Sequence, residues 1–375
     1  MEKDFKDCLS SFVKVSSLIV LITLIIAVLF IYGAAKTFHL IDSYKPIELY
    51  EKKFIDYDPF GFDPDSGIKS IKEKRLNGFI NGDSWHTQFW EDGKKVYDLY
   101  PQLSPLKSRI NLFNNEKAKA HLIVAGDSQT FGTGVKEGLI YSHLLAKKYD
   151  DINVYNLGHV AWSPASTYAV VDKRNGVDLK KYFPEEKGIF LYLMFPYLTS
   201  RDFGTTDTIA FTSGYLTHLE RKGDSLITHG IFKDSNKFEY NLKKLLSYFD
   251  LASFYEGTIV PLFYEEDGDE IRRKTYDFTA FIFSKMKEKY LERYPQGKFY
   301  VALCDSLNED SDKLLKSFIE KYSLAAIDLS DQPVCNSLKP FSYGDNHLNN
   351  MGHEKISELI EHRVIKPNLS FLVGK

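Results

Sequence analysis

A chain of 375 residues can bury a sizeable core and suggests one or two domains. Hydrophobic residues make up 43% and charged residues 26%, an ordinary globular balance. The formal net charge of −3 and the lack of a long basic run argue against nucleic acid as a main partner. Aromatics reach 15%, which suits carbohydrate contact but equally a filled core, and composition alone favours the core.

Residues 1–14 form a short polar tail of mixed charge. Val15–Ala35 follows, about 21 residues without a charge, long enough to cross a bilayer as a helix. Gly33 and Ala35 carry the small side chains of a cleavage site, so a removed signal peptide is the rival reading. The apolar run is longer than a typical signal core, which favours a retained anchor. Flanking lysines do not fix the orientation. A short tail before a single span and a large domain after it favour the domain outside the cytoplasmic membrane, periplasmic or on the outer face. Residues 36–117 are rich in Tyr, Phe, Asp, Gly, Lys and Pro. Short alternating runs at Trp85–Trp90 and Lys95–Tyr100 suggest an irregular, β-containing lead-in that packs on the domain at 118–375.

That domain alternates strand and helix. Strands are expected at 121–126, 152–157, 188–195, 298–304 and 323–328. Helices are expected near 136–148, 165–175, 274–294, 308–322 and 349–363. The pattern predicts an α/β fold, a flavodoxin-like three-layer α/β/α sandwich on a five-stranded parallel sheet, preceded by the one transmembrane helix. An excursion at about 197–269 contains a hairpin at Tyr215–Phe232, turning at Lys222-Gly223-Asp224, and a helical pattern at Phe238–Tyr255. It reads as a lid or substrate wall, or equally as a decorative insertion. Three cysteines make neither a disulfide framework nor a zinc pattern; Cys304 and Cys335 could pair if the domain is exported.

The first strand ends at Gly126-Asp127-Ser128, which sets a serine hydroxyl at the carboxyl edge of the sheet, where open α/β sheets bind ligands. Alone this is weak, because Asp and Ser are common helix caps. The far end of the chain reads Gly344-Asp345-Asn346-His347-Leu348-Asn349-Asn350-Met351-Gly352-His353 before an amphipathic last helix. Together the two stretches resemble the SGNH (GDSL-type) hydrolase superfamily, whose first block is Gly-Asp-Ser and whose last carries Asp and His on one loop. The resemblance spans roughly residues 118–365. Asn156-Leu157-Gly158 is similar to the family's second block, and residues 57–67, YDPFGFDPDSG, to the lead-in of its membrane-anchored bacterial members.

The chemistry follows from the residue types. A serine hydroxyl needs an adjacent base, histidine titrates near neutrality, and a carboxylate on the far ring nitrogen fixes the tautomer. Ser128, His347 and Asp345 can supply that set, although only Asn346 separates acid from base, so the loop must bend. The competing groups are His353, read as structural or capping, and Asp202, which could simply pair with Arg201. Oxyanion donors are expected from the backbone N–H groups of Ser128 and Gly158, the latter lacking a side chain that would obstruct substrate; an ordinary strand-end turn is the alternative for Gly158. The family's third block normally adds an Asn after strand three, but here the place reads Leu193-Met194-Phe195-Pro196-Tyr197-Leu198; Tyr197 is a candidate replacement. No cofactor is implied, no metal-ligand spacing is apparent, and the glycines of 126–134 lack the Lys-Ser/Thr of a phosphate loop.

The resemblance thus implies a membrane-anchored serine esterase or O-acyltransferase acting on acyl esters of an envelope polysaccharide or lipid. The alternative is a catalytically weak or inactive glycan-binding envelope protein on the same fold.

Overall fold

The computed structural model describes residues 80–374, apart from 82–83, 86, 92–93, 105, 107, 173–177, 196, 205–215, 236, 238–239, 244–267, 305–308, 337 and 344–345. The expected span Val15–Ala35, the tail before it, most of the lead-in and Asp345 lie outside the described residues. Among the described residues no helix is long and apolar enough to cross a membrane.

Four short strands come first, β1 (Ile80–Asn81), β2 (Ser84–Trp85), β3 (Thr87–Glu91) and β4 (Lys94–Leu99), paired β1 with β2 and β3 with β4, both antiparallel. β5 (Ala120–Gly126), β6 (Ile152–Gly158) and β7 (Gly188–Met194) follow. A separate hairpin of β8 (Thr217–Lys222) and β9 (Ser225–Ile231) precedes β10 (Lys298–Leu303) and β11 (Ala325–Asp328). The main sheet has five parallel strands in the order β11-β10-β7-β5-β6. β5 lies between β6 and β7, so the chain reverses its direction of travel across the sheet there and opens a crevice at the strand's carboxyl end.

Every residue of β5 and β7 is buried, as continuous apolar runs in a sheet covered on both faces require. The helices that frame the sheet and the site include α1 (Ser128–Phe131), α2 (Tyr141–Ala146), α3 (Pro164–Val171), α4 (Leu198–Phe203), α5 (Gly268–Arg293), α6 (Glu309–Lys321) and α7 (Asn350–Ile360). Alternation along the strands assigns them to layers. His121 of β5 meets Tyr290 of α5 at 2.9 Å, and Tyr192 of β7 packs on Phe283 of the same helix. On the opposite face, Asn156 of β6 bonds Ser142 of α2, and α2 stacks Tyr141 against His353 of α7.

The expected helix at 136–148 is shorter, and the difference is physical. Gly132, Gly134 and Gly138 take φ values of 81°, 82° and 85°, which hold the chain in a turning loop until Ile140 caps α2. The excursion's hairpin turns at Gly223-Asp224 and lies on the α3/α5 layer, with Leu219, Leu226 and Ile231 buried. Arg221 stacks on Phe281 at 4.0 Å and pairs with Asp277 at 3.1 Å. This part of the excursion packs against a helical layer; residues 205–215 and 244–267 lie outside the described residues, and with them most of the helical pattern at Phe238–Tyr255.

β6 is an edge strand, yet it is buried except at Tyr155. Its outer edge is covered by the end of the lead-in. Asn114 Oδ1 accepts the Val154 N–H, Asn111 Nδ2 donates to Val154 O, and the Asn115 N–H donates to Asn153 Oδ1. Side-chain amides thus satisfy ladder groups that a bare edge would expose. At the other side of the sheet, Cys304 at the end of β10 is disulfide-bonded to Cys335 in the turn of helix Pro333–Asn336, with Cα atoms 4.9 Å apart.

Candidate active site

Gly126 ends β5 and Asp127 caps α1, its Oδ1 accepting the Gln129 N–H at 3.0 Å. Ser128 is therefore the first helical residue, and its own N–H has no acceptor within the helix. The helix lasts one turn because Gly132 adopts a left-handed conformation and donates its N–H to Ser128 O.

His347 arrives from the opposite end of the domain. The Tyr343 N–H donates to His347 O at 2.8 Å, the Asn346 N–H donates to Tyr343 O at 3.0 Å, and Ser342 bridges to Leu348. Asn349 then caps α7 by accepting the Gly352 N–H at 3.1 Å. Asn346 has φ 65°, a conformation that Asn tolerates better than most residues. His347 Nε2 lies 3.0 Å from Ser128 Oγ, within the range for a base to take a hydroxyl proton. The structure therefore brings together two residues 219 positions apart. Asp345 lies outside the described residues.

Two of the groups expected on the oxyanion side, Gly158 and Tyr197, have hydrogen-bond partners within the chain. The Gly158 N–H donates to Asn156 Oδ1 at 2.8 Å, so it is already engaged. Its missing side chain serves packing rather than substrate access. A Cβ at Gly158 would lie 2.4 Å from Phe131 N and 2.7 Å from Thr130 C, inside the backbone of α1. Gly158→Ala is expected to destabilise the protein by about 1–3 kcal/mol through overpacking, read as a lower midpoint in urea. An unchanged midpoint would show that α1 yields freely.

Tyr197 is engaged as well, since its hydroxyl donates to Asp127 Oδ2 at 2.7 Å. Burial pushes the Tyr197 phenol well above its ordinary pKa, and the adjacent Asp127 carboxylate adds to the effect. Arg201 pairs with Asp127 (3.4 Å) and donates to Trp162 O (3.0 Å). Asp127, fully buried, thereby ties the loops after β5, β6 and β7 together. Asp202 does other work: its carboxylate accepts the Ala165 N–H at the start of α3 and the Thr279 hydroxyl of α5, both at 2.8 Å. Burial raises its pKa to about 7.

His353 is buried beneath Tyr141 and its Nδ1 accepts the Tyr141 N–H at 3.3 Å, a structural role. Two residues went unread at the sequence level. Arg109, from the lead-in, is buried and donates to Gly132 O and Val135 O, both at 2.7 Å, and so holds the loop behind α1. Burial lowers its pKa to about 10. Gln129, next to Ser128, contacts the His347 loop. The only sequence signal for Gln129 is its place beside the serine, and nothing local marks Arg109. No group of three or more His, Cys, Asp or Glu residues suited to a metal ion occurs among the described residues.

No protein-family model matches the chain, and no curated protein does. Solved structures do. The chain is similar to a lipolytic protein of the G-D-S-L family from Veillonella parvula DSM 2008, with 11% identity and a TM-score of 0.34, covering 65% of this chain and 98% of that one. It is similar to the psychrotrophic esterase EstA from a Pseudoalteromonas species, with 9% identity and a TM-score of 0.36, covering 66% and 97%. A family two carbohydrate esterase from Clostridium thermocellum, solved with cellohexaose, shows 10% identity and a TM-score of 0.37, covering 69% and 67%.

Proposed function

We propose that the chain is a serine hydrolase of the SGNH type, an esterase or O-acyltransferase anchored in the cytoplasmic membrane, with its catalytic domain on the outer side. The observation that carries this reading is the 3.0 Å approach of His347 Nε2 to Ser128 Oγ at the carboxyl edge of the sheet. Ser128 Oγ attacks the acyl carbonyl while His347 Nε2 takes its proton. The tetrahedral intermediate collapses as His347 returns that proton to the leaving alcohol, which leaves an acyl-Ser128. Water then attacks in an esterase, or a sugar hydroxyl in a transferase, with His347 again as base. Asp345, two residues before His347, has the role of orienting the ring. The Ser128 N–H is the oxyanion donor this chain retains. The disulfide between Cys304 and Cys335 supports an oxidising compartment, hence an extracytoplasmic domain. Acyl esters of an envelope carbohydrate or lipid are the proposed substrates.

A second reading, a glycan-binding protein without turnover, draws support from the engaged Gly158 N–H and Tyr197 hydroxyl, which leave the oxyanion side poorly furnished. A fluorophosphonate separates the two. Covalent labelling of the full-length protein at Ser128, absent from Ser128→Ala, is the expected result. An unlabelled wild type would favour the binding protein.

A further inference from the structure

Gln129 follows the serine directly, sits on α1 and is largely buried. Its amide is used at both ends on a single loop. Nε2 donates to Asn346 O at 3.0 Å, and Oε1 accepts the Leu348 N–H at 2.9 Å. The two partners flank His347 in sequence. Only one orientation of the amide satisfies both, because one partner is an acceptor and the other a donor. The same side chain neighbours the Tyr197 hydroxyl, whose proton goes to Asp127. A carboxylate could not donate to Asn346 O, and an apolar side chain could make neither bond.

This clasp addresses a specific difficulty. The His347 loop comes from the far end of the domain, and Asn346 within it already adopts a left-handed φ of 65°. The backbone bonds of Tyr343 and Asn346 close the loop on itself but do not tie it to α1. The Gln129 amide makes that tie, one residue from Ser128. We infer that Gln129 is a positioning residue, whose two bonds dock the backbone on either side of His347 and set the 3.0 Å approach of its Nε2 to Ser128 Oγ. The role as catalytic support rests on the hydrolase reading above; the docking itself does not.

Two variants of the full-length protein test it. Gln129→Met keeps the volume and loses both bonds, whereas Gln129→Ala loses volume too. Both are expected to lower kcat for p-nitrophenyl acetate by about 10²-fold, the scale of a misplaced catalytic group, with KM within about twofold of wild type. Fluorophosphonate labelling of Ser128 should slow in parallel, while the thermal midpoint of Gln129→Met stays near that of wild type. A Gln129→Met protein that turns over and labels at the wild-type rate would overturn the proposal, because only volume would then matter. Amide exchange across 343–349 gives a reading independent of turnover. Exchange at Leu348 should quicken by at least about tenfold in Gln129→Met with distant strands unchanged, and unchanged exchange would overturn the docking role. If wild type neither turns over nor labels, the hydrolase reading fails, and the exchange measurement alone decides the docking.

Discussion

Ser128→Ala should lower p-nitrophenyl acetate hydrolysis by the full-length protein about 10⁴–10⁶-fold, and His347→Ala by a similar factor. On the proposed mechanism the two side chains act as one unit. Without the hydroxyl no acyl-enzyme forms; without the imidazole the hydroxyl keeps its proton and stays a poor nucleophile. The losses should therefore not add, and the double variant should be little slower than either single one. Both side chains lie at the crevice rather than in the core layers, so neither change should lower the thermal midpoint by more than a few degrees. Equal rates in wild type and both variants would remove Ser128 from the mechanism for that ester.

Acid should unfold this protein well before its carboxylates are protonated. Four histidines are buried neutral. Burial lowers His121 and His143 to about 4, and His159 and His353 to about 3. Cationic neighbours reinforce this, Arg109 and Lys147 at His143 and Arg109 at His353. Backbone carbonyls of Glu185 and Leu106 bond to His121 and His159 and oppose it only in part. A histidine freed by unfolding titrates near 6.5. The sign follows directly: between about pH 4 and 6.5 the unfolded chain binds more protons than the native one, so stability falls as pH falls. These histidines contribute up to four protons to the difference, and Asp202, raised to about 7, opposes them by about one throughout this range. The net slope near pH 5 therefore reaches about 4 kcal/mol per pH unit. The urea midpoint should hold steady from pH 8 to 7 and drop steeply from pH 6 to 5. A flat midpoint down to pH 5 would show that these rings are hydrated or protonated in the native state.

Much of this architecture is legible in the sequence because its central strands are largely apolar runs bounded by glycine, β5 and β6 ending at Gly126 and Gly158 and β7 beginning at Gly188. β5, β6, β7 and β10 fall within a residue or so of their expected limits, and α5 and α6 keep their helical periodicity. Ser128 and His347 could be singled out because each sits in a short, chemically distinctive stretch. The helix expected at 136–148 begins only at Tyr141 because Gly138, left-handed at φ 85°, outweighs the apolar spacing around it. The packing demand at Gly158 is not visible locally, since its close neighbour, the backbone of α1, comes from a separate segment. The same holds for Arg201, whose carboxylate partner is Asp127 rather than the adjacent Asp202. Arg109 and Gln129 act through contacts that only the tertiary fold supplies. Local pattern specifies elements and their chemistry, whereas which polar group is already engaged depends on distant segments.

The separation between Ser128 and His347 also has a consequence for biosynthesis. A ribosome completes β5, α1 and the whole parallel sheet before it reaches the base. On the proposed mechanism Ser128 therefore stays an ordinary alcohol until the residues around position 347 have been made. Cys335, which pairs with Cys304, also precedes the His347 loop in the chain. By the same mechanism a chain stopped before His347 would carry the complete sheet and its serine but lack the base.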